Sequence, residues 1–492
     1  MTDGKGGEWL LHRHIEGQES IRAEFSPLAV ARSIEQTRSP NLIALGFMGA
    51  TLRLPQDLVI AVAEKRLSRR GNPNPAIRQT IVAGYEQLAS TKGWYTWQID
   101  STGNGQSHLI LNGNEAISLG ALAAGIRFFC GYPITPASSI LETMLAELPK
   151  LGGTAIQMED EMAALAACLG ASYAGTKSMA ATSGPGFALM SELLNLATIA
   201  ELPITIIDVQ RSGPATGQPT KSEQADLLYA LHGSPGDSPR LVMAPATVEE
   251  AFHMTLDAVN LAERYQMPVI LLSDGSLANR IEAIIEPDWD ALPVTDRKRV
   301  SAESMPDFER YLSTKTGVSE FAFPGLDDVP YIAGGMEHTA SGTPSSSAEG
   351  HFVMSAKRAQ KVEDLRNAIE ANPCWDTFSP GQSIGIVGWG STHGAIVEAQ
   401  KRLAKLGVQV GVAHIRHLNP LPEKQLGSWM KSLQRIIVAE ENRSGQLAGQ
   451  IKFLANGKLE SLLPIDDFEI TPEYLIDAVM KNPYHMQAAV GR

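Results

Sequence analysis

The chain has 492 residues, enough for three domains at roughly 150 residues each. Its 41 basic and 54 acidic residues give a net charge of -13. A negative chain without a long run of Lys or Arg is poorly suited to binding nucleic acid or an anionic membrane surface. The sequence contains no uncharged apolar run that could cross a bilayer, and its first residues do not resemble a signal peptide. We therefore expect a cytoplasmic protein with no nucleic-acid or membrane partner.

The three cysteines are Cys130, Cys168 and Cys374, and none lies in a C-x-x-C pair. This chain alone is therefore not expected to form a disulfide framework, bind structural zinc or hold an iron–sulfur cluster. His414 and His417 lie three residues apart without a third ligand nearby, so no metal site is expected either. Any iron–sulfur centre would have to lie on another polypeptide.

Residues 1–100 are expected to form a mainly helical segment and a linker. Apolar residues occupy nearly every face of SPNLIALGFMGATLRL, and the amphipathic stretch LPQDLVIAVAEKRLSRRG ends in basic residues and Gly71. The polar stretch STKGWYTWQIDSTGNGQSH has no periodicity, which is typical of a linker.

Residues 101–300 contain short apolar runs that alternate with helical stretches. The runs LPITIIDVQ and MPVILLSDG are typical of strands buried on both faces of a parallel sheet. The 301–379 region is less regular and includes GGMEHTASGTPSSSAEGHF, a small and polar stretch that we expect to be a loop. Strand–helix alternation resumes over 380–492, which predicts a second α/β domain.

Two candidate segments follow predicted strands. In GYPITPASSI, prolines fix the backbone on both sides of Thr135, which suits binding a carboxylate or phosphate. In QMEDEMAALAACLG, Glu161 begins a helix of small apolar residues, and a desolvated carboxylate can share a proton with a ring nitrogen. Taken alone, each segment is better explained as an ordinary turn, or as acids that favour a helix N-terminus.

Two further segments are a glycine-rich turn and a strand end. Ser183 and Gly184 open the turn in KSMAATSGPGFALM, where glycines allow the backbone to approach a ligand closely. Arg211 follows a predicted strand, at the edge where ligands bind in open α/β sheets, and a guanidinium suits a carboxylate. An ordinary turn and a surface arginine are the alternatives.

Taken together, these segments resemble the alpha subunit of 2-oxoacid:ferredoxin oxidoreductases, in the 2-oxoglutarate (KorA-type) branch. The motifs that carry the resemblance are GYPITP at 131–136, QMEDE at 157–161, ATSGPGFALM at 181–190, QRSGPATGQPTKSEQADL at 210–227, HIRHLNPLP at 414–422 and VAEENRSGQL at 438–447. The resemblance implies an α/β fold with a thiamine diphosphate pyrimidine-type domain and a transketolase C-terminal-like domain. Residues 15–95 resemble only the C-terminal half of the family's gamma domain, so a truncated, mainly helical gamma-like segment is expected.

The resemblance also implies roles for individual residues. Glu161 would be catalytic, as the glutamate that hydrogen-bonds the aminopyrimidine ring of thiamine diphosphate. Arg211, Thr220 and Thr135 would bind the 2-oxoacid. His338 would lie on the substrate side, although a solvated loop histidine is the alternative. The remaining cofactor-binding positions would be Tyr132, Pro133, Ser183 and Gly184.

A partner chain is implied as well. The sequence has no GDG…N segment for magnesium and diphosphate and no cluster cysteines, and in the family both lie on a beta subunit. That subunit would share thiamine diphosphate and Mg with this chain and carry a [4Fe-4S] cluster, in an (αβ)2 heterotetramer.

The expected reaction is oxidative decarboxylation of 2-oxoglutarate to succinyl-CoA and CO2, with coenzyme A as acyl acceptor and ferredoxin as electron acceptor. The reverse carboxylation, as in a reductive TCA cycle, is equally compatible. A pyruvate or broad-range 2-oxoacid enzyme is one alternative. A non-catalytic assembly subunit that kept the fold is another.

Overall fold

The computed structural model describes residues 2–4, 8–15, 18–67, 75–91, 96–97, 105–301, 304–326, 329–372, 376–380, 383–455, 459–463 and 469–481. The chain divides into two compact units, Met1–Gln106 and Ser107–Arg492. None of the described helices is long and apolar enough to cross a membrane. Gly71 and Cys374, which the sequence analysis singled out, lie outside the described residues.

The described residues of the first unit form an antiparallel sheet and four helices. Its elements are β1 (Thr2–Gly4), β2 (Glu8–Ile15), β3 (Gln18–Phe25), α1 (Pro27–Ser33), α2 (Pro40–Thr51), α3 (Gln56–Leu67) and α4 (Pro75–Ser90). The helices agree with the expected mainly helical segment, but the three strands were not predicted. Because a strand depends on its neighbour more than on local propensity, these polar segments gave no clear sequence signal.

The second unit begins with a two-stranded ribbon and a seven-stranded sheet. The ribbon pairs β4 (His108–Asn112) with β11 (Ile281–Ile285). The sheet strands are β5 (Phe128–Gly131), β6 (Thr154–Gln157), β7 (Ser178–Thr182), β8 (Ile204–Gln210), β9 (Leu241–Met243), β10 (Pro268–Asp274) and β15 (His417–Asn419). Their spatial order is β15-β9-β10-β8-β7-β5-β6, and every pair is parallel except β15 with β9. The predicted strands LPITIIDVQ and MPVILLSDG are β8 and β10, and both are buried throughout.

Helices connect these strands and cover the sheet. They are α5 (Gly113–Ala123), α6 (Ser138–Glu147), α7 (Glu161–Tyr173), α8 (Gly184–Leu189), α9 (Ser191–Ile199), α10 (Leu227–His232), α11 (Val248–Tyr265) and α12 (Gly275–Asn279). Parallel neighbours require such crossovers, and the helices bury both faces of the sheet.

The C-terminal part forms a five-stranded sheet in the order β12-β14-β13-β16-β17. Its elements are β12 (Thr377–Phe378), β13 (Ile384–Trp389), α14 (His393–Lys405), β14 (Val410–Ile415), α15 (Glu423–Lys431), β16 (Arg435–Ala439), α16 (Gln446–Ile451), β17 (Leu459–Leu462) and α17 (Pro472–Met480). Trp389 and Ile415 pack in one continuous core with Phe187 of α8 and Ile206 of β8. The two halves of this unit therefore share a hydrophobic core.

Helix α13 (Ala348–Ala371) lies where the sequence analysis expected only a connection with a polar loop. Its N-terminus is capped by Ser347, whose hydroxyl accepts a hydrogen bond from the amide of Gly350 at 3.0 Å. The helix buries Lys357 and Lys361, which both pair with Glu201 at 2.6 Å. A helix that is buried through ion-paired side chains lacks the apolar periodicity that reveals a helix in sequence. For that reason it was missed.

His338 is not a solvated loop histidine, because only 2% of the residue is exposed. Its Nε2 lies 3.0 Å from the carbonyl oxygen of Ile199, and its Nδ1 lies 2.9 Å from that of Thr339. Its ring packs against Tyr311 with centroids 3.9 Å apart. Both ring nitrogens thus have backbone partners, and the residue fastens this loop to the end of α9.

Candidate active site

Neighbouring parallel strands end side by side at one edge of the seven-stranded sheet. In register, Gly131 at the end of β5 lies beside Ala181 of β7, and Thr182 lies beside Asp208 of β8. The segments that follow these three strands carry all the sequence-predicted site residues except Glu161 and His338. Glu161 begins α7, after the adjacent strand β6. The topology therefore brings the candidate residues to one edge, where open α/β sheets bind ligands.

The loop after β5 is tied to two other elements. The Nη1 of Arg211 donates a 2.7 Å hydrogen bond to the carbonyl oxygen of Thr135. The Nδ2 of Asn114 donates a 2.8 Å hydrogen bond to the carbonyl oxygen of Pro136. Tyr132, earlier in the loop, is 39% exposed. These bonds fix the loop backbone while part of the loop stays accessible.

Glu161 is buried at the first position of α7, and the side chain of Asp160 caps the helix by accepting a 2.7 Å hydrogen bond from the amide of Ala163. A Cβ placed on Gly186 would lie 2.2 Å from Oε1 of Glu161 and 2.2 Å from Oγ1 of Thr182. Only glycine leaves room for these oxygens. The Glu161 carboxylate consequently packs directly on the glycine-rich turn.

Ser183 and Gly184 form the start of that turn. The carbonyl oxygen of Ser183 accepts hydrogen bonds from the amides of Gly186 at 2.8 Å and Phe187 at 2.9 Å. Its hydroxyl is buried and has no hydrogen-bond partner among the described residues. A Cβ on Gly184 would lie 2.6 Å from Oδ2 of Asp226. The turn is therefore packed between two carboxyl groups, with a free buried hydroxyl.

Arg211 directly follows β8 and is 6% exposed. Its buried Nε has no hydrogen-bond partner within the described part of the chain. The next residues form a closed hairpin, in which the amide of Ser212 donates to the carbonyl of Lys221 at 2.9 Å and the amide of Gln218 donates to the carbonyl of Ser212 at 3.0 Å. This hairpin holds Thr220 and Lys221 next to Arg211.

A cavity of about 340 Å³ lies beside this hairpin. Thr135 and Thr220, predicted separately from the sequence, both line it together with Lys221 and Glu142. The structure thus joins Thr135, Thr220 and Arg211 into one group, and Glu161, Ser183 and Gly184 into a second group at the neighbouring strand end. Tyr132 and Pro133 lie in the loop after β5 but are not among the lining residues of this cavity.

Two buried carboxyl groups near the turn were missed by the sequence analysis. Asp208, within β8, is fully buried, and neither of its oxygens has a hydrogen-bond partner among the described residues. Burial, and then the nearby Asp226, raise the pKa of Asp208 well above its usual value. Burial, and then Glu223, raise the pKa of Asp226 to about 7, although Arg211 opposes the rise. A single aspartate inside an apolar strand was the sequence signal that could have revealed Asp208, but it gave no sign of Asp226.

The C-terminal half of the unit holds the end of the 210–227 segment. The Nε2 of Gln224 donates a 2.9 Å hydrogen bond to the carbonyl of Trp389, and its Oε1 accepts one at 2.9 Å from the amide of Glu441. The Nε2 of Gln446 donates to the carbonyl of Ala225 at 2.6 Å. Burial, and then Asp274, raise the pKa of Glu441 to about 8. The motif at 438–447 therefore positions the segment that follows Arg211.

Within the described residues, no three His, Cys, Asp or Glu side chains are grouped so that they could hold a metal ion. His417 instead pairs through Nδ1 with Oδ2 of Asp376 at 2.7 Å.

Two family profiles match the chain. The profile described as "Pyruvate flavodoxin/ferredoxin oxidoreductase, thiamine diP-bdg" matches residues 119–355, which include every candidate site residue. The profile described as "Pyruvate:ferredoxin oxidoreductase core domain II" matches residues 383–466. Fold and site together thus define an α/β chain of the thiamine diphosphate-binding oxidoreductase class.

Individual relatives narrow this class. The chain is 37% identical over 376 residues to the 2-oxoglutarate synthase subunit KorA of Methanothermobacter marburgensis, a match that covers 75% of this chain and 98% of the relative. It is 36% identical over 422 residues to the 2-oxoglutarate oxidoreductase subunit KorA of Mycobacterium tuberculosis, covering 84% of this chain and 63% of that relative. The 2-oxoacid:ferredoxin oxidoreductase subunit alpha of Saccharolobus solfataricus is 34% identical over 386 residues, covering 75% of this chain and 61% of that subunit.

A solved structure is similar in both fold and sequence. It is the 2-oxoglutarate:ferredoxin oxidoreductase from Magnetococcus marinus with 2-oxoglutarate, coenzyme A and succinyl-CoA bound, with a TM-score of 0.84 and 34% identity. The match covers 92% of this chain and 79% of that chain. This chain belongs to the family of KorA-type alpha subunits of 2-oxoacid:ferredoxin oxidoreductases.

Proposed function

We propose that this chain is the alpha subunit of a thiamine diphosphate-dependent 2-oxoglutarate:ferredoxin oxidoreductase. The complex converts 2-oxoglutarate and coenzyme A to succinyl-CoA and CO2 and passes electrons to ferredoxin, or runs the reverse carboxylation of a reductive TCA cycle. One observation carries the proposal: a buried glutamate packed on a glycine turn lies at the same sheet edge as an arginine tied to a threonine loop. The KorA relatives, which are named for 2-oxoglutarate, and the similar Magnetococcus marinus enzyme, which was solved with 2-oxoglutarate bound, support this substrate.

The residues at the turn fit the aminopyrimidine half of thiamine diphosphate. Gly186 lets the backbone of the turn pack directly against the Glu161 carboxylate, and Ser183 offers a buried hydroxyl without a partner among the described residues. We assign Glu161 to the ring nitrogen, and the surrounding wall to Ser183, Gly184 and the loop of Tyr132 and Pro133. Magnesium and the diphosphate are assigned to a beta subunit.

When bound, thiamine diphosphate supplies the nucleophilic carbon and the electron sink for decarboxylation. Glu161 holds a proton at the pyrimidine nitrogen, and its burial strengthens that hydrogen bond because little water competes. Gly186 keeps the carboxylate at its position, so that the proton is held at one defined atom. Glu161 is therefore the catalytic residue of this chain.

The substrate group consists of Arg211, Thr135 and Thr220. Arg211 donates one hydrogen bond, from Nη1, to the carbonyl of Thr135. This bond orients the guanidinium and leaves the Nε of Arg211 for a substrate carboxylate. A charge-assisted hydrogen bond of this kind is roughly twice as strong as a neutral one. The threonine hydroxyls supply additional donors at the cavity, so the 2-oxoacid is held by its carboxylate with the keto carbon toward the cofactor.

The complete enzyme in this proposal needs further components. A beta subunit contributes the diphosphate and magnesium site and a [4Fe-4S] cluster, and two alpha–beta pairs form a cytoplasmic heterotetramer. Within this chain we assign residues 1–100 to the gamma-like segment and linker and 101–300 to the pyrimidine-binding domain. Residues 301–379 form the connection, and 380–492 form the transketolase C-terminal-like domain.

The proposal can be tested on the complex isolated anaerobically from its native host through a tag on this chain. We expect an iron–sulfur partner to copurify, together with coenzyme A-dependent reduction of viologen by 2-oxoglutarate. A Glu161→Gln variant should assemble normally and lose activity by at least about a hundredfold. A complex that reduces viologen only with pyruvate would refute the substrate. An intact complex that oxidises no 2-oxoacid would refute the enzymatic function.

A further inference from the structure

A dicarboxylic 2-oxoacid presents a second carboxylate that the substrate group does not account for. Arg211 is already engaged with the backbone of Thr135 and, in the proposed function, with the carboxylate next to the keto carbon. The cavity beside the hairpin continues past Thr135 and Thr220 to Lys221. Lys221 is the one cationic side chain among the described residues that line this cavity.

The backbone of Lys221 is fixed next to Arg211. Its carbonyl accepts the hydrogen bond from Ser212, the residue after Arg211, at 2.9 Å, and its amide donates to the carbonyl of Gln218 at 3.0 Å. The next residue is anchored as well, because Oγ of Ser222 accepts a 3.1 Å hydrogen bond from the amide of Ser276. The backbone of Lys221 is consequently held beside the segment that begins with Arg211, and its side chain lines the cavity.

The side chain of Lys221 is available for a ligand. It is exposed and forms no ion pair or hydrogen bond with another described side chain. Two acids are candidates to compete for it, one in the same cavity and one two residues further along the chain. Glu142 lines the same cavity, whereas Glu223 already accepts a 3.2 Å hydrogen bond from the amide of Gly213 through Oε2. Glu142 is thus the only lining acid in this described cavity that could neutralise the lysine.

We propose that Lys221 binds the distal carboxylate of a dicarboxylic 2-oxoacid and so selects 2-oxoglutarate over monocarboxylic 2-oxoacids. This inference rests on the proposed function, since it assumes that Arg211 and the two threonines hold the other end of the substrate. Lys221 makes and breaks no bond in the reaction. Its contribution is to specificity, and it should appear in KM for dicarboxylic substrates.

The test uses the intact complex with Lys221→Met and Lys221→Arg variants of this chain. Lys401→Met is the matched control, because Lys401 is exposed on α14. Viologen reduction is measured at saturating coenzyme A with 2-oxoglutarate and with 2-oxobutanoate, which lacks the distal carboxylate. Inhibition by glutarate, which carries two carboxylates and cannot react, gives a second readout.

Lys221→Met should lower kcat/KM for 2-oxoglutarate by about tenfold to a hundredfold, the value of one lost charge-assisted hydrogen bond. The fall should lie mainly in KM, glutarate should inhibit more weakly, and kcat/KM for 2-oxobutanoate should be unchanged or higher. Lys221→Arg should retain most of the preference, and Lys401→Met should match the wild type. Activity on 2-oxobutanoate also reports that the variant site is folded.

Two outcomes would overturn this assignment alone: an unchanged kcat/KM for 2-oxoglutarate, or an equal fall on both substrates. A Glu142→Gln variant tests the effect of the one acid that lines the same cavity as Lys221. If Glu142 only competes with the substrate for Lys221, Glu142→Gln should strengthen 2-oxoglutarate binding. A loss equal to that of Lys221→Met would instead mean that the two residues act on the structure of the cavity and that the inference is wrong. A wild-type complex that oxidises no 2-oxoacid refutes the proposed function first, and this inference falls with it.

Discussion

Gly186 offers a way to displace the Glu161 carboxylate without changing its chemistry. In a Gly186→Ala variant the new Cβ would lie 2.2 Å from Oε1 of Glu161 and 2.2 Å from Oγ1 of Thr182. Ordinary contact begins at about 3.4 Å, so the carboxylate must retreat by about 1 Å. A displacement of that size at a reacting group costs about a hundredfold in rate, which is roughly 2.7 kcal/mol of activation free energy.

The assay is coenzyme A-dependent viologen reduction by the intact complex, with unfolding monitored in parallel. Gly170 provides the matched control, because it lies in the same helix as Glu161 and its Cβ would meet nothing within 4 Å. Gly170→Ala should keep full activity and gain about 0.5–1 kcal/mol of stability. The fall in Gly186→Ala should appear in kcat while the complex remains assembled.

A variant that combines Gly186→Ala with Glu161→Gln tests whether both changes act through the same carboxylate. If Gly186→Ala acts only through the Glu161 carboxylate, it should cost nothing further once Glu161 is already Gln, because the two changes remove the same interaction. Wild-type kcat in Gly186→Ala would show that the carboxylate position does not matter. Full additivity of the two losses would show that Gly186 acts on something else.

Three further predictions concern buried charges. Glu201→Gln leaves the buried ammonium groups of Lys357 and Lys361 without their carboxylate. It should lower the free energy of unfolding by about 3–5 kcal/mol in urea denaturation. An unchanged urea midpoint would contradict this prediction. Burial lowers the pKa of Lys361 to about 7 despite the opposing attraction of Glu201, so the unfolded chain binds that proton more tightly. Stability should therefore rise between about pH 7 and pH 10, and Lys361→Met should flatten this rise in thermal unfolding. The pKa of Asp226 is raised to about 7, so the folded chain binds the proton of this carboxyl more tightly than the unfolded chain does. Stability should therefore fall from about pH 4 to pH 7, and Asp226→Asn should reduce that fall. An identical pH profile of stability in the variant would refute the raised pKa.

Much of the second unit was predictable because its elements are apolar in the expected way. Strands β8 and β10 are the mostly apolar runs that were predicted as buried strands, and the strand–helix alternation expected over 380–492 is found from β13 to α17. The order of the strand ends then follows from parallel topology, which places the carboxyl ends of neighbouring strands at one edge. This rule and the motif order predict that Thr135 and Arg211 meet, whereas the position of Thr220 depends on the hairpin bonds between Ser212 and Lys221.

The missed features all depend on polar groups that are paired or enclosed by distant residues. Helix α13 buries lysines against Glu201, so its inward face looks solvated in sequence. His338 is enclosed through the carbonyl of Ile199, which is 139 residues away. Asp208 is one acid in an apolar run, and nothing local reveals that Asp226 lies near it. The hydrophobic pattern of a sequence reflects the polarity of each residue alone, whereas a charged residue can be buried only when a partner neutralises it.

The conformation of the hairpin after Arg211 depends on two distant parts of the chain. Arg211 joins the hairpin to Thr135 across 76 residues, and Gln224 joins it to Trp389 and Glu441 across 165 and 217 residues. The side-chain amide of Gln224 is fully buried, so each of its two hydrogen bonds, to Trp389 and from Glu441, would cost about 1–3 kcal/mol if it were not made. The folded C-terminal half therefore stabilises the segment that directly follows the hairpin. That dependence explains why the motif at 438–447 accompanies the motif at 210–227: the second domain acts on the site by fixing the backbone that carries Thr220 and Lys221.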